Sequence, residues 1–492
     1  MYAFEEGSTA YRSVKLAPPI YPSMAPKEYL IFHPKKATIW DLIRLVFSSK
    51  SLAEYHHLVE TNNPNLLPPV RLSTRLFLLY FLLFSIISLP ISHVGNKLLE
   101  WLGYFLNKVH FNGGFICLVG NTITGSSRRP DQHAAYYQSV QSFASGPIEY
   151  RKNFAPVLIN RLELSHQVSS LMELAALASS LAYENQSRIK DIVNNQFNMS
   201  FVEFFRCWNV FVREYTTKAF ICCSEEEDAK LIVVAFRGTD SLGDWRCNLN
   251  FSFITLGDMG KVHLGFMTAL GLQDKHDTEK GFPKEYNGEK LLAYYCIKKE
   301  LSDLVKKHKN AKILVTGHSL GGAMAVLFTS LLVMHEEQEI LDRISWVMTF
   351  GQPRVGDATF GNKMVSVLGD KYTRMVYRHD IVPRIPFEIP VIHFKHSGTC
   401  ISYSNWFHGE KVKEVANKNY FNIRYIVVKF WGTIVDFFLA IWEWEGFISI
   451  LARFFWIMFP GVAFHNTKNY VNATRKAKID HYIIKDAWDL HV

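Results

Sequence analysis

The stretch KILVTGHSLGGAMAVLFTSLLVM, residues 312–334, decides the fold class of this 492-residue chain. It begins with a short apolar run that predicts a buried strand at residues 312–316, and it ends with an Ala-, Val- and Leu-rich run that predicts a helix at residues 323–335. Ser319 lies between the two, in the segment GHSLGG. A serine on such a strand-to-helix turn presents its hydroxyl at the end of the sheet, where it can attack a carbonyl group. The stretch therefore predicts a nucleophile elbow with Ser319 as the nucleophile.

The neighbours of the serine complete this elbow. Side chains on Gly317 or Gly321 would collide where the strand and the helix approach each other, and Gly322 belongs to the same tight turn. The positive end of the helix stabilises a developing oxyanion, with the Leu320 N–H as one donor. His318 is interpreted as a structural residue, because a base next in sequence to the serine cannot face its Oγ.

Other segments predict the rest of an α/β fold. The apolar runs at residues 218–223 and 229–236 predict two strands that form a hairpin or lie side by side, and residues 345–350 predict another buried strand. Residues 168–186 carry apolar side chains at helical spacing. Strands that alternate with helices predict a central sheet covered by helices.

A serine nucleophile needs a base and an acid that orients the base, and in this architecture they follow the serine in the order acid, then histidine. Asp380 is favoured as the acid because it follows an apolar run at residues 375–377 and precedes a proline-rich loop; a salt-bridged loop aspartate is the alternative. His465 is favoured as the base because it lies in a loop directly after an apolar segment. The other downstream candidates are Asp342, Asp357, Asp370, Glu388, His393, His396, His408, His481 and His491.

Composition excludes a disordered chain and limits the partners. Hydrophobic residues make up 48% of the chain and charged residues 20%. The 54 basic and 45 acidic residues give a net charge of +9, which favours an anionic membrane surface over nucleic acid because no nucleic-acid-binding motif accompanies it; a plain basic surface is the alternative. The seven cysteines have no metal-ligand spacing and predict reduced thiols that face the cytosol. No metal or organic cofactor is expected.

The N-terminal part contains an uncharged apolar run at residues 76–91, followed by shorter apolar stretches up to residue 119. The run is shorter than the roughly 20 residues of a direct span, and Pro90 predicts a bend, so a hairpin or shallow anchor is favoured; a true span and a buried helical pair are the alternatives. The expected organisation is an N-terminal region (1–70), a membrane or lipid-droplet anchor (71–120), a linker (121–145) and a catalytic domain (146–492).

A second aromatic segment separates the two downstream candidates. Residues 420–464 contain fifteen aromatic side chains among few charges, within an insertion at about residues 401–464. They fit helices that lie in a lipid interface with Trp rings at the depth of the headgroups. Core helices or an oligomer interface are the alternatives, and the oligomeric state is not predicted.

Six ordered motifs resemble those of the class 3 lipases of the fungal type, and most of all the plant oil-body triacylglycerol lipases. They are FRGTDSLGDW (236–245), KVHLGF (261–266), GHSLGGAMA (317–325), TFGQPRVGD (349–357), YRHDIVPRIP (377–386) and HNTKNYVNATR (465–475). The resemblance covers roughly residues 165–475. It implies an α/β-hydrolase fold with a mostly parallel sheet, and a hydrophobic N-terminal segment like that of the oil-body enzymes.

The resemblance also implies roles for residues. It assigns the catalytic triad to Ser319, Asp380 and His465, adds Thr239 to the oxyanion hole beside Leu320, and identifies residues 241–250 as a lid, for which an ordinary loop is the alternative. The implied activity is hydrolysis of triacylglycerol at a lipid-droplet or membrane surface, on the cytosolic face of an oil body or the endoplasmic reticulum. A phospholipase A1 or galactolipase, and a catalytically inactive lipase-like scaffold, are the alternatives.

Overall fold

The computed structural model describes residues 28–33, 36–47, 57–63, 72–150, 164–210, 212–239, 252–272, 282–386, 393–412 and 425–479. Its helices are α1 Ile39–Phe47, α2 Leu72–Phe111, α3 Phe115–Ile123, α4 Val140–Ser145, α5 Leu164–Leu181, α6 Gln186–Asn195, α7 Leu264–Leu270, α8 Ala293–Lys307, α9 Leu320–Met334, α10 Gln338–Leu341, α11 Ala358–Leu368, α12 Ile426–Trp442, α13 Phe447–Trp456, α14 Pro460–Ala463 and α15 Thr467–Lys476. Its strands are β1 Tyr29–Phe32, β2 Val59–Thr61, β3 Ser200–Asn209, β4 Glu214–Cys223, β5 Leu231–Phe236, β6 Phe253–Thr255, β7 Lys261–His263, β8 Lys312–His318, β9 Ile344–Phe350, β10 Tyr372–Tyr377, β11 Thr399–Asn405, β12 His408–Val412 and β13 Lys478–Ile479.

A large mixed sheet forms the centre of the fold. Within the described residues it has nine strands in the order β13-β12-β11-β10-β9-β8-β5-β4-β3. The five strands from β11 to β5 pair in parallel, whereas β3, β4 and β5 form an antiparallel meander. The α/β class and the mostly parallel central sheet predicted from the sequence are therefore confirmed.

The core lies on both faces of this sheet. In β5, Ile232, Val234 and Phe236 pack against one group of apolar side chains that includes α7, α8 and α9, while Val233 and Ala235 pack against another that includes α5 and α15. Every residue of β5 is buried. A parallel strand covered on both faces is a continuous apolar run without polar alternation. The run AKLIVVAF therefore predicts a strand but does not show which elements cover each of its faces.

The predicted elements have somewhat different bounds in the structure. Strand β8 continues to His318, and α9 begins at Leu320 rather than at residue 323, so a single residue separates them. The two apolar runs before β8 form the antiparallel pair β4 and β5, with Ala219 opposite Phe236. Glycines allow the early helix start: a Cβ on Gly321 would lie 2.2 Å from the backbone oxygen of Phe236.

The N-terminal residues join the rest of the chain through a second, smaller sheet. Strand β1 pairs with β2 and with β6, so that Leu30 lies opposite Phe253. Residues 121–145, expected to be a linker, accept hydrogen bonds from amide side chains of the neighbouring segments. Asn112 Nδ2 donates to the Arg128 oxygen at 3.0 Å, and Asn185 Nδ2 donates to the Ala134 oxygen at 3.0 Å.

The hydrophobic N-terminal segment is not interrupted at Pro90, because helix α2 runs through that position from Leu72 to Phe111. The chain turns instead at Gly113 and Gly114, whose φ values of 84° and 110° favour glycine, and it continues as α3. In the part of the chain that the structure describes, no helix combines the length and the apolar character needed to cross a bilayer.

Candidate active site

Ser319 occupies the single residue between β8 and α9, with φ 59° and ψ −129°. This conformation is costly for a residue with a side chain and persists only where the surroundings impose it. The Ser319 N–H donates to the Phe350 oxygen at 2.9 Å, and a Cβ on Gly317 would lie 2.3 Å from the Gly321 carbonyl. The Ser319 hydroxyl is buried and makes no hydrogen bond to any residue in the described ranges.

The loop after β5 lies directly against this turn. A Cβ on Gly238 would lie 2.5 Å from the His318 oxygen, so only glycine allows the approach. Thr239, the next residue, is buried. Leu320 begins α9, where the first N–H groups have no acceptor within the helix and carry the positive end of its dipole. Thr239 and Leu320 thus lie on the two segments that meet at the serine.

Asp380 and His465 are in contact although 85 positions separate them in the sequence. His465 Nδ1 lies 2.7 Å from Asp380 Oδ2, and both residues are buried. The other carboxylate oxygen, Oδ1, accepts the Val382 N–H at 2.9 Å. A carboxylate at Nδ1 holds the imidazole in the tautomer whose Nε2 accepts a proton.

The remaining downstream candidates serve elsewhere or lie outside the described residues. Asp357 caps α11 by accepting the Phe360 N–H, and His396 Nε2 binds the Pro383 oxygen. Asp370, His393 and His408 are exposed, and Asp342 lies beside Gln338. Glu388, His481, His491 and the predicted lid at residues 241–250 lie outside the described residues.

His318 packs beside the Asp380–His465 pair. Its ring centroid lies 4.4 Å from that of His465, and its Nδ1 lies 2.9 Å from the Tyr183 hydroxyl. Burial, aided by the neighbouring His465, lowers the pKa of His318 well below its ordinary value. A neutral His318 adds no positive charge next to His465, so it does not compete for the proton that His465 would accept.

Tyr470 contacts the same carboxylate oxygen as His465. Its hydroxyl donates to Asp380 Oδ2 from helix α15, five residues after His465. Burial and the adjacent Asp380 raise the pKa of Tyr470 well above its ordinary value, so the hydroxyl keeps its proton and remains a donor. No local pattern singles out Tyr470, because its contact with Asp380 depends on the packing of α15 against β10.

Gly351 belongs to the TFGQPRVGD motif, whose pattern predicts no role for it, and it lies against both Asp380 and His465. Its φ is +58°, and a Cβ there would lie 2.9 Å from His465 Cε1 and 3.0 Å from Asp380 Oδ2. The backbone at the end of β9 therefore forms the wall against which the imidazole and carboxylate rest. Only a residue without a side chain leaves them room.

Gly351→Ala is expected to lower kcat/KM for a soluble short-chain ester about tenfold to a hundredfold, because displacing a positioned group by a fraction of an ångström has effects of this size. Gly369→Ala is the matched control: its φ is +53°, but an added Cβ meets no atom within 4 Å. The control is expected to stay within about twofold of the wild type, since it carries the same backbone strain without the collision. Equal losses in the two variants would contradict the proposed collision.

Comparison with known proteins places these residues in a family. The class 3 lipase family, described as "Lipase (class 3)", matches residues 233–389. The triacylglycerol lipase OBL1 of Nicotiana tabacum is 32% identical over 80% of this chain and 82% of its own length. The triacylglycerol lipase OBL1 of Arabidopsis thaliana is 34% identical over 76% of this chain and 79% of its own length.

Among solved structures, the Rhizomucor miehei lipase propeptide complex is 26% identical, with a TM-score of 0.37 over 48% of this chain and 68% of that chain. The family assignment rests on the sequence relatives, which match most of both chains. On that basis the chain belongs to the class 3 lipase family.

Proposed function

We propose that this class 3 lipase hydrolyses triacylglycerol at the surface of a lipid droplet, with Ser319 as nucleophile, His465 as base and Asp380 as the acid that orients the base. The observation that carries the proposal is the 2.7 Å contact between His465 Nδ1 and Asp380 Oδ2 beside the strained turn of Ser319. The similarity over most of the chain to relatives named triacylglycerol lipase supports this choice of substrate.

The reaction would proceed through an acyl-enzyme. His465 Nε2 takes the proton of Ser319 Oγ as that oxygen attacks the ester carbonyl, and Asp380 stabilises the imidazolium that forms. The Leu320 N–H and Thr239 are proposed to bind the oxyanion. His465 then gives its proton to the departing diacylglycerol oxygen. In the second half of the reaction His465 takes a proton from water, which attacks the acyl carbonyl, and returns that proton to Ser319 Oγ as the fatty acid leaves.

Association with the droplet is proposed for the hydrophobic segment at residues 71–120, ahead of a lipase domain at residues 146–492. Helix α3 supports this, because Phe115, Ile116, Val119 and Ile123 lie exposed on it. An apolar face of this kind binds the boundary between polar surface and lipid without spanning it. Of the two locations expected from the sequence, the lipid droplet is the one that holds triacylglycerol as a separate phase, and the relatives are named triacylglycerol lipases.

Phospholipid hydrolysis is the second candidate, because the same three residues cleave any acyl ester. The phospholipase A1-Igamma2 of Arabidopsis thaliana is 29% identical, but over only 38% of this chain. The head-group preference depends on the walls of the acyl site rather than on the reacting residues.

The test measures fatty-acid release by the full chain from triolein droplets coated with phosphatidylcholine, and in parallel from vesicles of phosphatidylcholine alone. Release of oleate from triolein with little lysophospholipid supports the proposed substrate. Preferential production of lysophosphatidylcholine would assign the chain to phospholipids, and no release from either lipid would contradict the proposed activity.

Flotation of the same droplets tests the anchor. The triple variant Phe115→Ser, Ile116→Ser, Ile123→Ser removes exposed apolar side chains and is expected to lower the droplet-bound fraction, since each loses contact with lipid while the fold loses little. An unchanged bound fraction would contradict a contribution of α3 to anchoring.

A further inference from the structure

Helices α12 and α13, with the residues that join them to α14, have their apolar and charged faces reversed. The side chains that point outward are large and apolar, and six of those on the two helices themselves are between 62% and 82% exposed: Val427, Trp431, Phe438, Trp442, Phe447 and Phe455. In a helix at the surface of a water-soluble protein, such residues face the core and charged residues face outward. Here the arrangement is the opposite.

The charged residues of these helices all face inward. The sequence of α12 contains Lys429 and Asp436, and that of α13 contains Arg453; all three are buried. Asp436 binds Arg378 at 3.2 Å, and Arg453 binds Glu445 at 2.6 Å. The outward face of the two helices consequently carries no charge.

An apolar environment at the outer face would stabilise this arrangement. Buried charges require partners, and Asp436 and Arg453 have theirs in Arg378 and Glu445, at a cost in solvation. Exposing the Trp and Phe side chains to water forgoes the free energy that their burial would contribute. The second cost is relieved when the outer face lies in lipid, because the Trp and Phe side chains then leave water.

The same face is continuous with the candidate active site. Phe459 and Val462 lie exposed just before His465, and the Ile381 N–H, next to Asp380, donates to the Gly461 oxygen at 3.2 Å. A surface held against lipid by α12 and α13 would therefore bring the loops of the base and the acid to the lipid as well.

A lipid surface fits this face better than a protein does. Protein interfaces have polar rims and form about one hydrogen bond per 100–200 Å². The other polar side chains of α12 and α13 are buried, so the outward face of these two helices offers the indole N–H groups of its tryptophans, such as Trp431 and Trp442, as polar atoms. Indole rings at the boundary of an apolar phase are typical of helices that lie in a lipid interface.

We infer that helices α12 and α13 form a lipid-docking surface that lies in the phospholipid-coated boundary of a droplet and brings the mouth of the active site to the substrate. The inference rests on the proposed function, because it takes the substrate to be in the lipid phase. It adds a second contact with lipid, at the catalytic domain itself, to the proposed N-terminal anchor.

The test uses the full chain with Trp431→Ser, Phe438→Ser and Trp442→Ser combined. These side chains lie on one face of α12 and are mostly exposed, so the melting temperature is expected to stay close to that of the wild type. Oleate release from phosphatidylcholine-coated triolein droplets is expected to fall about tenfold to a hundredfold, because three aromatic contacts with lipid are lost. Hydrolysis of a short-chain ester below its solubility limit is expected to stay within about twofold, since the proposed triad is untouched.

The matched control replaces three exposed apolar side chains on other elements, Leu291→Ser, Val365→Ser and Val367→Ser, and is expected to retain droplet activity. The single variant Trp442→Lys serves if the triple variant does not fold, with a smaller loss in the same direction. Unchanged droplet activity in the α12 variants, or equal losses on droplets and soluble ester, would overturn the inference.

Light scattering that shows a wild-type dimer and a monomeric variant with full droplet activity would assign the face to a second copy instead. Wild-type chain inactive on triolein but active on the soluble ester would count against the proposed substrate, not against this surface.

Discussion

Ser319→Ala is expected to lower the rate of fatty-acid release from triolein droplets by about 10⁴–10⁶, the range found when the nucleophile of a serine hydrolase is removed. The loss is this large because the acyl-enzyme route requires the Ser319 oxygen, whereas the oxyanion donors and the binding surface can assist only a slow direct attack by water. Alanine keeps the Cβ at this position, so the φ of 59° is no more strained than in the wild type.

The measurement is titration of released oleate together with labelling by a serine-reactive phosphonate. Ser330→Ala makes the same chemical change within α9, the helix that follows Ser319; the Ser330 hydroxyl donates to the Leu327 oxygen at 2.8 Å, and the variant is expected to keep both activity and labelling. Covalent labelling that persists in Ser319→Ala, or substantial residual release, would show that another residue is the nucleophile.

Asp380→Asn is expected to lower kcat by about 10⁴, as the same change does in other Ser-His-Asp sites. Asp380 Oδ2 faces His465 Nδ1 at 2.7 Å, and an amide nitrogen in its place would favour the tautomer that puts the proton on Nε2. That tautomer cannot accept the proton of Ser319. The Asn variant also loses the negative charge that stabilises the imidazolium.

The hydrogen bonds around Asp380 are expected to limit the effect of Asp380→Asn on the fold. The Val382 N–H and the Tyr470 hydroxyl both donate to the carboxylate, and an amide oxygen accepts from one of them, so the fold is expected to survive with a small loss of stability. The measurement is kcat on a soluble short-chain ester across the pH range, with thermal melting as a check of folding. Asp370→Asn is the matched control, because Asp370 is exposed and lies outside the site. A folded Asp380→Asn enzyme with more than about a tenth of the wild-type kcat would remove Asp380 from the proposed triad.

The sequence determined the parts of this protein that depend on neighbouring residues. The strand, the glycine-bounded turn and the helix around Ser319 are all encoded in residues 312–334, because the sterics of a tight turn act over a few positions. The apolar runs that alternate with helical segments likewise predicted the sheet, since burial on two faces makes each central strand a continuous apolar run. Length and composition were enough to exclude a disordered chain.

Only the tertiary structure decided which distant residues meet. Several acids and histidines follow Ser319, and the sequence ranked them by their loops, but the contact between Asp380 and His465 depends on the packing of β10 against the segments that carry them. The contacts of Gly351 and Tyr470 with that pair likewise depend on the fold and could not be predicted from the sequence.

The direction of the α12 and α13 faces also required the fold. The aromatic segment alone was compatible with a core, an oligomer interface or a lipid surface, because composition does not specify which side of a helix is covered. The buried partners of Asp436 and Arg453 fix that direction, and they come from sequence positions 58 and 8 residues away. The steric limits on a turn depend on residues adjacent in the sequence, whereas the burial of a side chain depends on all the segments that pack around it.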